Sequence, residues 1–174
     1  MICCIVLKPT HKSKKLLLER SRQREFSEIL EAQLRCPVFI FNYTDITYVF
    51  FEDVIVVPSA LKITADFMNT IQATDLRVLD VSDTPDYFWN EVKNKLSSLA
   101  ISAFEWKHLI SSFLMQMDPF NPKKSDVGID LFEQFRDLIK AEGSSKQQKY
   151  FKNKLSILRK RVSLESLLRF LKRD

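Results

Sequence analysis

Glycine is almost missing from this chain. Gly128 and Gly143 are the only two, too few for a phosphate-cradling loop of the G-x-G-x-x-G or G-x-x-x-x-G-K-[ST] kind, so the common nucleotide-binding enzyme families are excluded. Histidine is equally scarce, and a hydrolase or transferase needs a nucleophile, a base and a group to orient them. His11 sits among Lys8, Lys12, Lys14 and Lys15 in an expected loop, and His108 lies mid-helix beside Trp106 and Leu109. Each reads as a surface or half-buried structural histidine rather than a catalytic one. Cys3, Cys4 and Cys36 are odd in number and two are adjacent, which gives neither a disulfide framework nor a C-x-x-C metal pair. They read as small buried hydrophobes in a reducing compartment. Long hydrophobic runs are lacking too. The start MICCIVLKPTHKSKK puts a short apolar run before its charges, the wrong order and length for a signal segment or a membrane span, so an intracellular, soluble protein is expected.

Carboxylates are present but not arranged for chemistry. Asp80, Asp83 and Asp86 fall three apart and could be imagined as metal ligands, yet they straddle a helix start, where capping and the helix dipole alone favour acids. Glu52-Asp53 reads as a turn. The expectation is therefore a protein without catalytic residues, cofactor or metal.

What is there is enough to fold. The chain has 174 residues, of which 45% are apolar and 14 are phenylalanine, suited to one ordinary domain or two small ones sharing a core. Met1 to Leu7 reads as a strand closed by Pro9, and Leu16 to Leu18 as a run of either kind. Phe26, Ile29, Leu30 and Leu34 lay one stripe along a helix within Gln23 to Leu34. Val38 to Phe41, Ile46 to Phe51 and Val54 to Val57 read as strands separated by Tyr43-Thr44-Asp45 and Glu52-Asp53, a small meander with one helix on it.

After Pro58 the pattern turns helical. Ile63, Phe67 and Ile71 predict a helix over Ser59 to Gln72, followed by a short extended piece at Leu76 to Val81. Thr84-Pro85 opens a helix through Phe88, Val92, Leu96 and Leu99. Ser102 and Glu105 form a capping box for the next, which carries Leu109, Ile110, Phe113, Leu114 and Met117 and ends at Pro119 and Pro122. The loop Asp118 to Val127 reads as the most exposed connection of the helical part. A helix from Ile129 to Ala141 buries Leu131, Phe132, Phe135, Leu138 and Ile139, and Gly143 is expected to end it with a positive φ. Ser144 or Ser145 caps a last long helix with Phe151, Leu155, Leu158 and Val162, and Ser163 is expected to restart the chain as a short helix with Leu164, Leu167, Leu168 and Leu171 inward. The fold class is α+β: a β-rich domain with one helix over residues 1–57, then a larger helical domain over 58–174.

The net charge of +5 is unevenly spread, with +4 over residues 1–40, −5 over 41–100, −1 over 101–140 and +7 over 141–174. The basic tail offers Lys146, Lys149, Lys152, Arg159, Lys160 and Arg161 as candidate phosphate contacts, which would neutralise a nucleic-acid backbone without reading sequence. The alternative is the solvated face of a helix that buries its leucines. Tyr150 and Phe151 among the lysines invite a base-stacking reading, with Phe151 better assigned to the core. Phe88, Trp89, Trp106, Phe113, Phe132 and Phe135 exceed what a domain of this size needs inside, and are the candidate subunit interface.

The segment FSEILEAQLRCPVFIF, Phe26 to Phe41, resembles the GINS family of DNA-replication factors through Glu28, Ile29, Leu30, Pro37 and Val38. IVVPSALKITADFM, Ile55 to Met68, resembles the family's strand and helix around a Leu-Pro-Leu-Trp-Leu-Ala motif through Val57, Pro58 and Leu61, without the tryptophan. TPDYFWNEVKNKLSSLA, Thr84 to Ala100, is similar to the first long helix of its helical domain. The resemblance implies the arrangement with the β-domain first, and a non-catalytic subunit of a four-part assembly. That assembly joins sister subunits to the MCM helicase and a RecJ-like partner during chromosomal DNA replication. The chain's size is closer to the compact archaeal members, which implies a cytoplasmic location, or a nuclear one in a eukaryote. The alternative function is a nucleic-acid-binding accessory subunit that uses the basic C-terminal helices to reach DNA.

Overall fold

A computed structural model describes residues 2–8, 20–52, 57–70, 77–82, 84–120 and 126–171. His11, Leu16 to Leu18, Val54 to Val56, Asp83 and Pro122 lie outside the described residues, as do Lys172 and Arg173. The elements are β1 (Cys3–Lys8), α1 (Arg20–Leu34), β2 (Val38–Tyr43), β3 (Ile46–Phe51), α2 (Val57–Thr70), β4 (Arg77–Ser82), α3 (Asp86–Ser97), α4 (Ala103–Met117), α5 (Asp126–Glu142) and α6 (Ser145–Leu171). The fold is α+β with the larger part helical.

The chain forms two compact units, Met1–Glu91 with Ser125–Val127, and Val92–Lys124 with Gly128–Asp174. The first unit holds an antiparallel sheet in the order β2-β3-β1-β4. With α1 and α2 as the connections this is the split βαβ arrangement, which hosts many unrelated functions and so assigns none. The β-rich part therefore runs past residue 57, to Glu91. The helix begun at Val57 lays Ala60, Ile63, Phe67 and Met68 on the sheet, in one core with Cys3, Ile5, Leu7, Phe26, Leu30, Val49 and Phe51. The extended piece near Leu76 to Val81 proves to be β4, the fourth strand. Two helices, not one, cover this face, and the rings of Phe26 and Phe67 join them at 5.0 Å.

Strand alternation sends the remaining aromatics to the other face. There Phe88, from the first turn of α3, meets Phe41, Tyr48 and Phe50 edge-on at 5.6, 4.8 and 5.3 Å. Each such ring pair adds about 0.5–1.5 kcal/mol beyond its area. Burial, helped by the Glu91 carboxylate, pushes the Tyr48 phenol far above its ordinary value, so it stays neutral. Tyr43 pairs with Ile46, which makes Thr44-Asp45 a two-residue hairpin loop, and Thr44 takes φ 54°, a strained setting for a β-branched residue. Val57 is helical rather than the end of a strand.

In the second unit α4 starts at the expected capping box. The Ser102 N–H donates to Glu105 Oε2 at 2.8 Å and the Glu105 N–H to Ser102 Oγ at 3.1 Å. The bond to the Ser102 backbone, then that to its side chain, holds the Glu105 carboxyl below its ordinary range. Leu109, Ile110, Phe113, Leu114 and Met117 are all buried, and the Phe113 and Phe135 rings lie 4.0 Å apart. Asp118, left-handed at φ 38°, closes the helix with its N–H on the Leu114 carbonyl. Two expectations are corrected. Leu99 is fully exposed in a turn, because α3 stops at Ser97 and the Ser98 hydroxyl accepts from the Ala100 N–H at 3.2 Å. Gly143 has no positive φ; glycine is needed there because a Cβ would stand 2.5 Å from the Ile139 carbonyl oxygen.

Candidate interaction surface

The last helix is fixed at its start by another reciprocal cap. Ser144 N–H donates to Gln147 Oε1 at 2.8 Å, and Gln147 N–H donates to Ser144 Oγ at 3.3 Å. The Gln147 amide is buried and its Nε2 donates to the Leu96 carbonyl at 3.0 Å, so the first turn of α6 is held against the end of α3. Gln148 Nε2 reaches the Gly143 carbonyl at 2.9 Å. From there the chain has no glycine or proline up to Leu171, and nothing interrupts the helix. Ser163 does not restart it; its hydroxyl donates back to the Arg159 carbonyl at 3.1 Å, the back-bond of a serine inside a helix.

Continuity fixes the angular phase of every later residue. At about 100° per residue, Phe151, Leu155, Leu158 and Val162 share one side, and Leu164, Leu167, Leu168 and Leu171 fall about 160° away on the other. The first row packs inward: Phe151 is buried, with its ring 5.8 Å from Phe135 and 6.4 Å from Phe132. The second is left outside. Leu164, Leu167, Leu168 and Leu171 are 59%, 56%, 54% and 62% exposed, and Ile157, on the same side, is 58% exposed. The expectation that these leucines point inward is corrected, because a phase reset at Ser163 would have been required.

The six aromatic residues expected at an interface divide into three buried ones and three half-buried ones. Phe88, Phe113 and Phe135 are spent in the chain's own cores. Trp89 rests on Phe88, Phe132 on Phe151, and Trp106 meets Tyr150 edge-on at 5.4 Å. Tyr150 is engaged on several sides: its hydroxyl shares a 2.6 Å hydrogen bond with Ser111, and the Lys107 and Lys154 ammonium groups sit 5.7 and 5.6 Å from its ring.

The cations stand differently. Lys146, Lys149, Lys152, Arg159, Lys160 and Arg161 are all exposed along α6, and no salt bridge ties any of them among the described residues. Lys146, Lys149 and Lys160 share the side that carries the outer leucines, so one face of the helix is basic at its beginning and apolar at its end. Arg161 also borders an open cleft of about 130 Å³ with Met115, Asp118, Leu158, Val162 and Glu165.

The acidic run and the described histidine keep local contacts. Of the acidic run, the Asp86 carboxylate accepts from the Thr84 hydroxyl at 2.7 Å, a turn contact, while the Asp80 side chain and Asp83 are outside the description. His108 is exposed and stacked on Phe104. Among the described residues no group of three or more His, Cys, Asp or Glu side chains could hold a metal ion, and no helix is long and apolar enough to cross a membrane. No family model matches the chain, and comparison with curated proteins and with solved structures finds no match.

Proposed function

We propose that this chain is a non-catalytic scaffold subunit, a protein that works by being held by others, of the kind the GINS resemblance implies. The observation that carries this reading is the outer leucine row of α6. Four leucines at i, i+3, i+4 and i+7, each more than half exposed, cost solubility and contribute nothing to the chain's own core. A helix presenting such a row is the form in which helical partners are recognised. In the GINS form of the reading the partners are a sister subunit in a hetero-oligomer, the MCM helicase and a RecJ-like protein, and the role is support of the replicative helicase.

The test is an affinity pull-down of the tagged chain from a nuclease-treated lysate at high salt, with retained proteins identified by mass spectrometry. Recovery of a small helical sister chain with helicase components, lost in L164S/L168S, is the expected result. Recovery of no protein in a leucine-dependent way overturns the scaffold reading.

A second reading is favoured by one observation, the exposed cations Lys146, Lys149, Lys152, Arg159, Lys160 and Arg161, none of them in a salt bridge among the described residues. Under it the chain is a nucleic-acid-binding accessory subunit. Replacing Lys152, Arg159 and Arg161 with alanine then abolishes DNA binding, and binding by the unaltered chain falls steeply between about 50 and 200 mM salt. Assembly that survives in that triple variant favours the scaffold.

A further inference from the structure

We infer that the outer face of α6 docks an acidic amphipathic helix of another protein, one whose apolar end meets Leu164, Leu167, Leu168 and Leu171 and whose carboxylates run along Lys146, Lys149 and Lys160. This rests on the scaffold reading and names the chemistry of its partner.

The occupant follows from how the face is divided. α6 has 27 residues, about 40 Å of helix at 1.5 Å per residue. On its outer side the sequence reads Lys146, Lys149, Asn153, Ile157, Lys160, and then Leu164, Leu167, Leu168, Leu171. A ligand helix lying along it must be acidic over the first part and apolar over the last, because unpaired ammonium groups against apolar surface lose hydration without compensation.

A second copy of this chain fits poorly. Laid parallel, it would set lysine against lysine. Laid antiparallel over the whole face, it would set each leucine row on the other's cations. Only a tail-to-tail pairing matches leucine to leucine without setting the lysines against one another. The five half-exposed aliphatic side chains then supply roughly 400 Å² from each copy, about half of the ~800 Å² per partner of a stable interface. An anionic membrane also fits poorly, since a helix lying in the interface needs its apolar face along its whole length, and here that face is confined to the last two turns. A nucleic-acid backbone would use the lysines and leave the leucines uncovered.

The probe is a fluorescein-labelled synthetic peptide of about 20 residues, with leucines at i, i+3, i+4 and i+7 in one half and glutamates on the same face of the other, titrated with the purified full chain and read by anisotropy. Binding at 150 mM salt is expected. It should weaken at least tenfold in L164S/L168S and about tenfold in K149E/K160E, while a peptide with lysine in place of each glutamate should not bind. Both variants change exposed side chains, and an unchanged circular dichroism spectrum and thermal midpoint confirm that they fold. Equal binding of the acidic and basic peptides overturns the inference, as does binding indifferent to either variant. It is also overturned by a concentration-dependent dimer in sedimentation that L164S/L168S abolishes, or by leucine-dependent binding to phosphatidylserine vesicles with none to the peptide. Leucine-dependent recovery of partner proteins without peptide binding removes this inference and leaves the scaffold reading standing; absence of both removes the two together.

Discussion

Two rows of large aliphatic and aromatic side chains, one on α4 and one on the end of α6, have nearly the same spacing and opposite fates. On α4, Leu109, Ile110, Phe113, Leu114 and Met117 are all buried; on α6, Leu164, Leu167, Leu168 and Leu171 are all more than half exposed. Helical spacing places side chains on a common side and says nothing about which way that side looks. What decides is the rest of the element. α4 turns its long apolar row inward and leaves Phe104 and Met115 exposed on its opposite side. α6 carries two long rows, and once Phe151, Leu155, Leu158 and Val162 have packed, a helix without a break must hold the other out.

The largest test of this contrast is in the α4 row. Phe113→Ala removes a fully buried ring beside Phe135 and should destabilise the chain by about 3–5 kcal/mol in a denaturant titration. A loss below about 1 kcal/mol would mean that the row is not core. Next comes the junction that sets where α6 begins. Gly143→Ala drives a Cβ toward the Ile139 carbonyl oxygen, and a cost of about 1–3 kcal/mol is expected by the same method. The outer leucines should still bind as before, because their phase is internal to α6.

Ser102→Ala, at the start of α4, should cost about 1 kcal/mol. The Glu105 carboxyl sits below its ordinary value when folded, so its contribution is present above the unfolded value, about 4.3, and is lost as pH falls through the folded one. Acid scans of thermal midpoint should therefore show a steeper fall for the unaltered chain than for E105Q; parallel curves would remove the carboxylate from the cap. The smallest effect should be that of Leu168→Ser, within about 0.5 kcal/mol of the unaltered chain. A loss near that of Phe113→Ala would show the row to be buried and end the contrast.

Much was legible without coordinates wherever the signal is local. The Ser102 and Glu105 box, the α4 row, the Ile46–Phe51 strand and a serine cap at Ser144 or Ser145 are readable because each depends on residues within a turn or two. The candidate surface is legible in half: the composition of the last helix marks Lys146, Lys149, Lys152, Arg159, Lys160 and Arg161 as exposed, whereas the leucines beyond them read as core. The signal that favours one continuous phase is the absence of glycine and proline between residues 145 and 171. That Phe88, Phe113 and Phe135 are core residues is hidden from the sequence for a different reason. A count of phenylalanines measures how much apolar surface exists, and only packing reveals that both faces of the sheet and the helical core consume it.

Sequence by itself determined the local elements, their caps, the α+β class and the basic end of the chain, since all of these follow from spacing and chemistry within a few residues. Tertiary structure alone decided that Arg77–Ser82 joins the sheet as its fourth strand and that α2 belongs to the sheet layer rather than to the helices after it. It also decided which of the two rows on α6 would be left exposed. Those outcomes are choices among partners distant in the chain, made by the total apolar area each arrangement removes from water, and no single segment records that sum.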